Sequence, residues 1–460
     1  MNKQLFYLFL FVLVGCGNVE KNPSNIFFAG EIVNPTDEKV FLYKGDVVID
    51  SAALDEQNRF SFLLDSITEG LYHFNHEPEV QYVYLEKGDS LVIRLNTLYF
   101  DESLVFSGKG EEVNNFLLEL FLAHEEEAGL VQSFYNLDAD EFVEKIDSLK
   151  QLRLDVWAEV SEEGNLSERE DKIARASVVY NYNTYKEEYP FKHKKYTGEK
   201  LIGNLPQGFY DYRKDLTFND KDLTYLRPYY KFMINHVGNL SYMDCSHGCM
   251  KNKDVVRNQL HFNKHKLRLI DSLIEEKELK DNLFRYVAFD YLLKVHDTEK
   301  NNDAFIEGFR ELSDNNRHMA EIDALYEGIK NIQPNKKIPD VQVSDVEGNR
   351  VSLQEIAKDN KTVFYFWSGT DRMHFENMKR RVGHLSLEKP EYSYVGINIK
   401  TKEANWKALL ENSGLDKTKQ YRSRDFEELT KALIIYPMNK CIITEDEIIV
   451  DAFANVYGPF

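Results

Sequence analysis

Two cysteines and two histidines in the middle of the chain are spaced so that they could bind zinc. Cys245 and Cys249 precede His261 and His265 in the order C-x3-C-x11-H-x3-H, one residue shorter than the usual loop of a C2H2 zinc finger. Thiolates and imidazoles are the ligands of tetrahedral zinc sites. Against a metal, position 253 is Lys, where such fingers usually carry an aromatic residue. We therefore favour a local disulfide or two free thiols at Cys245 and Cys249, with both histidines on a solvated helix face, and we expect no cofactor.

A carboxylate and an imidazole stand three residues apart where a helix is predicted to begin. Asp371 and His374 could act as an acid–base pair. Alternatively, Asp371 accepts hydrogen bonds from the free backbone N–H groups of the first helical turn, and His374 is solvated. The sequence around them offers no nucleophile or third orienting group, so we favour the helix cap and assign no catalytic residue. Cys441 lies in a predicted core strand, and we interpret it as a small packing residue.

The composition excludes several classes of protein. The 460 residues carry 57 Lys and Arg against 77 Asp and Glu, a formal net charge of −20. Such an acidic chain repels phosphate backbones, so we expect no nucleic-acid partner. Four cysteines cannot form a disulfide-dense scaffold, so packing must supply the core. The hydrolase motifs G-x-S-x-G and H-E-x-x-H and a phosphate-binding glycine-rich loop do not occur.

The chain opens with a segment typical of export. Lys3 is followed by an apolar run over residues 5–14, which is shorter than the roughly 20 residues of a membrane-spanning helix and suits a secretory signal. The four residues Leu13-Val14-Gly15-Cys16 resemble the lipobox of bacterial lipoproteins, which implies cleavage before Cys16 and lipid attachment to it. We therefore predict a signal peptide over 1–15 and a lipidated tether over 16–25, bound to the membrane by at least two acyl chains. Gly17, rather than the Asp that retains proteobacterial lipoproteins at the inner membrane, favours the outer membrane of the cell envelope.

The rest of the chain predicts a multidomain α+β protein in three parts. Short alternating runs about ten residues apart indicate a β-sandwich over 26–108. Apolar residues that recur every three or four positions indicate a helical region over 109–335, interrupted by a long irregular connection over 187–217. Strands and helices then alternate over 336–460, which predicts an α/β domain with a mixed sheet. The runs assigned to the sandwich strands begin at Ile26, Val40, Phe60, Tyr82 and Leu91.

The last part resembles the thioredoxin-like fold of the TlpA/ResA type, a family of thiol-disulfide reductases of the cell envelope. The resemblance is carried by Phe366-Trp367-Ser368-Gly369, Met378, Trp406 and Tyr436-Pro437, and it implies that Pro437 is the cis-proline of the fold. The segment 50–62 likewise resembles the N-terminal β-domain of unknown function that precedes thioredoxin-like domains in lipoproteins of Bacteroidota.

The chain departs from that family at both catalytic atoms. The family's chemistry needs Cys-x-x-Cys at the helix start, where one thiolate attacks a disulfide and the second thiol resolves the mixed disulfide. Asp371-Arg372-Met373-His374 occupies these positions, and a carboxylate and an imidazole cannot exchange disulfides. We therefore expect a non-redox binding or structural module that meets a protein or peptide partner in the envelope. The alternative is an envelope oxidoreductase that uses Cys245 and Cys249, or Cys441, as a non-standard centre.

Overall fold

A computed structural model of the chain describes residues 25–65, 67–77, 79–198, 205–244, 256–435 and 438–458. The chain divides into two compact units, Met1–Asn239 and Leu240–Phe460. This boundary falls inside the stretch 109–335, so the helices predicted as one region are divided between the two units. Within the described ranges, no helix is both long enough and apolar enough to cross a membrane.

The strands of the first unit form two four-stranded sheets. One sheet has the order β4-β1-β7-β8 and the other the order β3-β2-β5-β6; β1 and β7 are parallel, and the other pairs are antiparallel. The strands are β1 (Ile26–Val33), β2 (Lys39–Lys44), β3 (Val47–Ala53), β4 (Arg59–Leu64), β5 (Gly70–His76), β6 (Glu79–Leu85), β7 (Ser90–Asn96) and β8 (Val105–Lys109), with the short helix α1 (Phe100–Ser103) before β8.

Alternating side chains bury one face of each sheet against the other. In β4, buried and exposed residues alternate without a break, as expected for a sheet with one solvent-exposed face. The ring of Phe28 lies 5.6 Å from that of Phe74 in the other sheet, and both belong to one apolar core. The predicted runs lie in β1, β2, β4, β6 and β7, while β3, β5 and β8 were not recognised as strands from the sequence.

Helices complete the first unit and correct one prediction. They are α2 (Glu111–Phe134), α3 (Ala139–Glu163), α4 (Glu168–Thr197) and α5 (Arg227–Asp244), the last of which crosses the unit boundary. The predicted irregular connection from 187 is wrong at its start, because α4 continues through Pro190 to Thr197. Packing outweighs the roughly 3 kcal/mol that proline costs inside a helix: Tyr189 is buried against Phe142, with ring centroids 4.2 Å apart.

In the described part of the second unit, four helices precede a seven-stranded mixed sheet. The helices are α6 (Gln259–Leu273), α7 (Lys277–Lys294), α8 (Glu299–Leu312) and α9 (Met319–Asn331). The sheet has the order β10-β9-β13-β12-β11-β14-β15. Its strands are β9 (Gln342–Ser344), β10 (Arg350–Ser352), β11 (Lys361–Trp367), β12 (Ser393–Asn398), β13 (Gln420–Ser423), β14 (Lys440–Glu445) and β15 (Ile448–Asn455).

The connections within this sheet place α11 (Arg372–Glu388) next to its central strand. Strands β11, β12 and β13 are parallel, whereas β14 and β15 form an antiparallel hairpin beside β11. The other helices are α10 (Leu353–Ala357), α12 (Glu403–Ser413) and α13 (Phe426–Leu433). This is the mixed α/β arrangement that the resemblance implies, and the loop after β11 leads directly into α11.

Candidate functional site

The loop between β11 and α11 is held close to the neighbouring parallel strand. The Gly369 N–H donates to the Thr401 hydroxyl at 2.8 Å. A Cβ at position 369 would lie 2.6 Å from Leu409 Cδ1 and 2.9 Å from Thr401 Cγ2, so only glycine allows this approach without displacement. Trp367, at the end of β11, is fully buried and packs against Phe375 of α11 with ring centroids 4.5 Å apart and ring planes tilted by 31°. The start of α11 is therefore fixed on a rigid base.

Asp371 caps α11. Its carboxylate oxygen Oδ1 accepts the backbone N–H of His374 at 2.8 Å, which satisfies one of the four N–H groups that a helix start leaves free. The side chain of Asp371 is otherwise exposed. The hydrogen bond between these two residues therefore uses the backbone amide of His374 and does not involve its imidazole ring.

The ring of His374 has no orienting partner in the described part of the chain. Both ring nitrogens are buried, and neither makes a hydrogen bond with a described residue. A histidine that acts as a general base is normally held in one tautomer by a second group. The start of α11 therefore holds a helix cap and an imidazole that no described residue orients.

The thiol of Cys441 is placed for packing. Cys441 in β14 is fully buried in the core beside Tyr365, its partner across the strand pair. Burial, with a smaller contribution from Asp451, raises the pKa of this thiol to about 12. Because the thiolate is the nucleophile in disulfide exchange, a protonated and inaccessible thiol is inert in that reaction.

The residues that carry the resemblance in α11 and α12 are core residues. Met378 and Trp406 are both buried and pack in the same apolar cluster as Trp367. They support the base of the loop and are not available to a ligand. Pro437, the predicted cis-proline, lies outside the described residues.

The remaining predicted sites are only partly described. Cys16, Cys245 and Cys249 lie outside the described ranges. His261 and His265 lie one turn apart on α6; His261 is exposed, and burial lowers the pKa of His265. Across the described segments, no three His, Cys, Asp or Glu side chains are grouped to hold a metal ion.

Sequence reasoning gave Met373 no role, although it is the most exposed apolar side chain at this site. Met373 is 76% exposed on the first turn of α11, and its neighbours Asp371 and Arg372 are also exposed. Single exposed apolar side chains are common on protein surfaces, so Met373 is notable only for its place on the first turn of this helix. An apolar residue directly after Asp371 and Arg372, on the first turn of the helix, is the signal that could have found it.

Comparisons with known proteins find similarity only in solved structures. No protein-family model matches the chain, and no curated protein matches it. The thioredoxin domain of a thiol-disulfide oxidoreductase from Bacteroides vulgatus is 17% identical, over 26% of this chain and 86% of that one, with a TM-score of 0.23. A thiol:disulfide interchange protein from Bacteroides sp. is 16% identical, over 26% of this chain and 80% of that one, with a TM-score of 0.22.

Proposed function

We propose that this chain is a lipid-anchored protein of the cell envelope whose thioredoxin-like domain binds a partner and does not exchange disulfides. The observation that carries the proposal is the start of α11, where Asp371 caps the helix and no described residue bonds to the His374 ring. Neither side chain can form the mixed disulfide on which the family's reaction depends.

The chemistry of Cys441 supports the same proposal. An oxidoreductase that used this thiol would need it exposed and ionised. Cys441 is fully buried, and burial raises its pKa. The alternative function is an oxidoreductase with a displaced redox centre, and Cys245 and Cys249 would then have to form that centre.

The proposed partner is a protein or an extended peptide that contacts the exposed first turn of α11. The thioether of Met373 is flexible and polarisable, which suits contact with apolar side chains of varied shape. Asp371 and Arg372, the two residues that precede Met373, carry opposite charges and would orient such a partner.

Anchoring through Cys16 would hold this surface in the envelope, and we propose the outer membrane as its location. Lipid attachment can be tested by metabolic labelling with a palmitate analogue. We expect the wild type to be labelled and Cys16→Ala to remain unlabelled; an unlabelled wild type would refute the anchor.

Site-specific crosslinking tests the proposed partner surface. A photoreactive residue replaces Met373 in the full chain in living cells, and a matched variant carries it at Leu387, which is 83% exposed near the other end of α11. We expect a discrete adduct from position 373 and none from position 387. Equal adducts from both positions, or none from position 373, would refute a binding surface at the helix start.

A further inference from the structure

The first unit contains a cavity of about 830 Å³, well apart in the sequence from the α11 site. Its walls come from β5 and β6, from α2 and α4, and from the first turn of α5. All of these elements belong to the same compact unit. A cavity of this size is within the range that encloses a small organic molecule.

Most of the wall is apolar or aromatic. Helix α2 contributes Leu117, Leu120 and Val131, while Tyr185 of α4 and Tyr82 of β6 add aromatic surface. Such a lining gives hydrophobic stabilisation to a chain or ring of similar polarity, and tyrosines add both ring contacts and hydroxyl groups.

One charged pair on the wall is already satisfied within the protein. Glu188 accepts hydrogen bonds from Lys192 Nζ at 2.6 Å and from the Tyr135 hydroxyl at 3.0 Å. Lys192 also lies over the Tyr135 ring, 4.7 Å from its centroid. These groups shape the cavity, but they are not free to recognise a charged ligand.

Two cations on the wall are free. Arg227 and Lys231 lie one turn apart on α5, and neither forms an ion pair or hydrogen bond with any residue that the structure describes. Acidic residues outnumber basic ones by 20 in this chain, yet these two exposed cations have no acidic partner among the described residues. Of the acidic side chains on the wall besides Glu188, Glu79 is already engaged, which leaves Glu125 against two cations.

Both cations act electrostatically on groups of the wall. Burial raises the pKa of Tyr82, and Arg227 opposes this shift. Burial lowers the pKa of His124 to about 4, and Lys231 adds to this lowering against the attraction of Glu127. The positive charges therefore lie near enough to the cavity to be felt by its side chains.

His124 adds an unused polar group. Its side chain is 15% exposed, and neither ring nitrogen makes a hydrogen bond with a described residue; the nearest carboxylate oxygen, on Glu127, is 3.8 Å from Nδ1, beyond hydrogen-bond distance. A neutral imidazole offers one donor and one acceptor. Buried polar groups normally have a partner, and a ligand in this cavity would supply one.

We infer that this cavity binds an amphipathic organic anion, with its acidic group paired to Arg227 and Lys231 and its apolar body against the leucines and tyrosines. A polar atom along the body would bond to His124. This site is independent of the function proposed for α11, since it lies in the other unit and uses none of the same residues.

The test uses a fluorescent fatty acid, 11-(dansylamino)undecanoic acid, with residues 17–460, which retain every described residue. Decanoate, decanol and decyltrimethylammonium then compete with the probe for the cavity. The three competitors have the same ten-carbon alkyl chain with a negative, a neutral and a positive head group. We expect saturable binding of the probe, displacement by decanoate and little displacement by the cation. Absent saturable binding, or equal displacement by all three, would overturn the inference.

Two pairs of variants locate the site. Arg227→Gln/Lys231→Gln should weaken probe binding about tenfold or more, because two charge-assisted contacts are lost. Its control, Lys145→Gln/Lys221→Gln, removes the same charge from exposed residues that do not line the cavity and should bind as the wild type does. Equal weakening in both double variants would indicate non-specific attraction and refute the site.

A second pair tests the cavity itself. Ala128→Trp places a large side chain on the wall and should abolish binding. Gly129→Trp is its control, since a Cβ at position 129 meets no atom within 4 Å and Gly129 is not part of the wall. Unchanged binding in Ala128→Trp would show that the probe binds elsewhere, and circular dichroism confirms that both variants are folded.

Discussion

The cap on α11 makes a sharp prediction about Asp371. If Asp371 caps the helix and has no acid–base role, it stabilises the protein through one hydrogen bond. Its carboxylate accepts that bond from the His374 backbone N–H at 2.8 Å. Asp371→Ala removes the acceptor. Asp371→Asn keeps an acceptor at the same place and removes only the charge.

The expected magnitudes follow from the geometry of the cap. Replacing an N-cap Asp with Ala lowers the free energy of unfolding by about 1 kcal/mol. Asp371 is exposed, so no larger loss is expected. Asn caps as well as Asp, so Asp371→Asn should lose only its interaction with the helix dipole, about 0.3 kcal/mol at an exposed terminus. With a guanidinium slope of about 4 kcal/mol/M, the midpoint should fall by about 0.25 M for Ala and by under about 0.1 M for Asn.

The unfolding of the second unit can be followed by its own tryptophans. Trp367 and Trp406 are buried there, and the third tryptophan, Trp157, lies in α3 of the first unit. In a Trp157→Phe background, fluorescence therefore reports the second unit alone. The account fails if Asp371→Ala unfolds at the wild-type midpoint, or if Asp371→Asn is as unstable as Asp371→Ala.

Three further predictions concern charge, thiols and metal. Glu187→Gln should destabilise the first unit by about 3 kcal/mol, because the Arg213 guanidinium loses the buried carboxylate it pairs with; urea unfolding measures this. Burial would raise the pKa of Glu187, but hydrogen bonds from His236 and Arg213 hold it below 4.5. Its contribution is therefore present above pH 4.5 and lost as the pH falls through the lower folded value, so the wild type should lose more stability in acid than Glu187→Gln; equal losses would contradict this. In a chain whose other cysteines are serine, Cys441 should react with Ellman's reagent only after unfolding, and fast labelling of the native chain would refute its assignment to the core. Elemental analysis should find no zinc, whereas about one zinc per chain would establish the C-x3-C-x11-H-x3-H segment as a metal site.

Sequence patterns predicted the parts of the fold in which burial alternates regularly. Strands such as β4 alternate between buried and exposed residues and were recognised. Strand β3 is exposed along nearly its whole length, so it lacks the period-two signal that marks a half-buried strand. Helix α4 was predicted to end too early because Pro190 is a helix breaker locally, and only its tertiary packing shows why the helix continues.

The α11 site was largely predictable because its information is local. Asp371 stands just before a helix, and its type and position suffice to predict a cap. The cavity was not predictable from local patterns, because its wall joins β6 and α2 to α5, which begins more than 140 residues after β6 ends. Arg227 and Lys231 are ordinary surface cations in the sequence, and only the fold shows that they share a wall with His124 and that no described residue pairs with them.

Our central proposal, that the C-terminal α/β domain does not exchange disulfides, is tested most directly by the initial rate of insulin disulfide reduction by dithiothreitol. We predict that residues 17–460 leave this rate at its uncatalysed value, while Asp371→Cys/His374→Cys raises it by restoring a dithiol at the helix start. Turnover by the wild-type chain would contradict the claim. If that turnover disappeared in Cys245→Ser/Cys249→Ser, it would establish an oxidoreductase whose redox centre has moved.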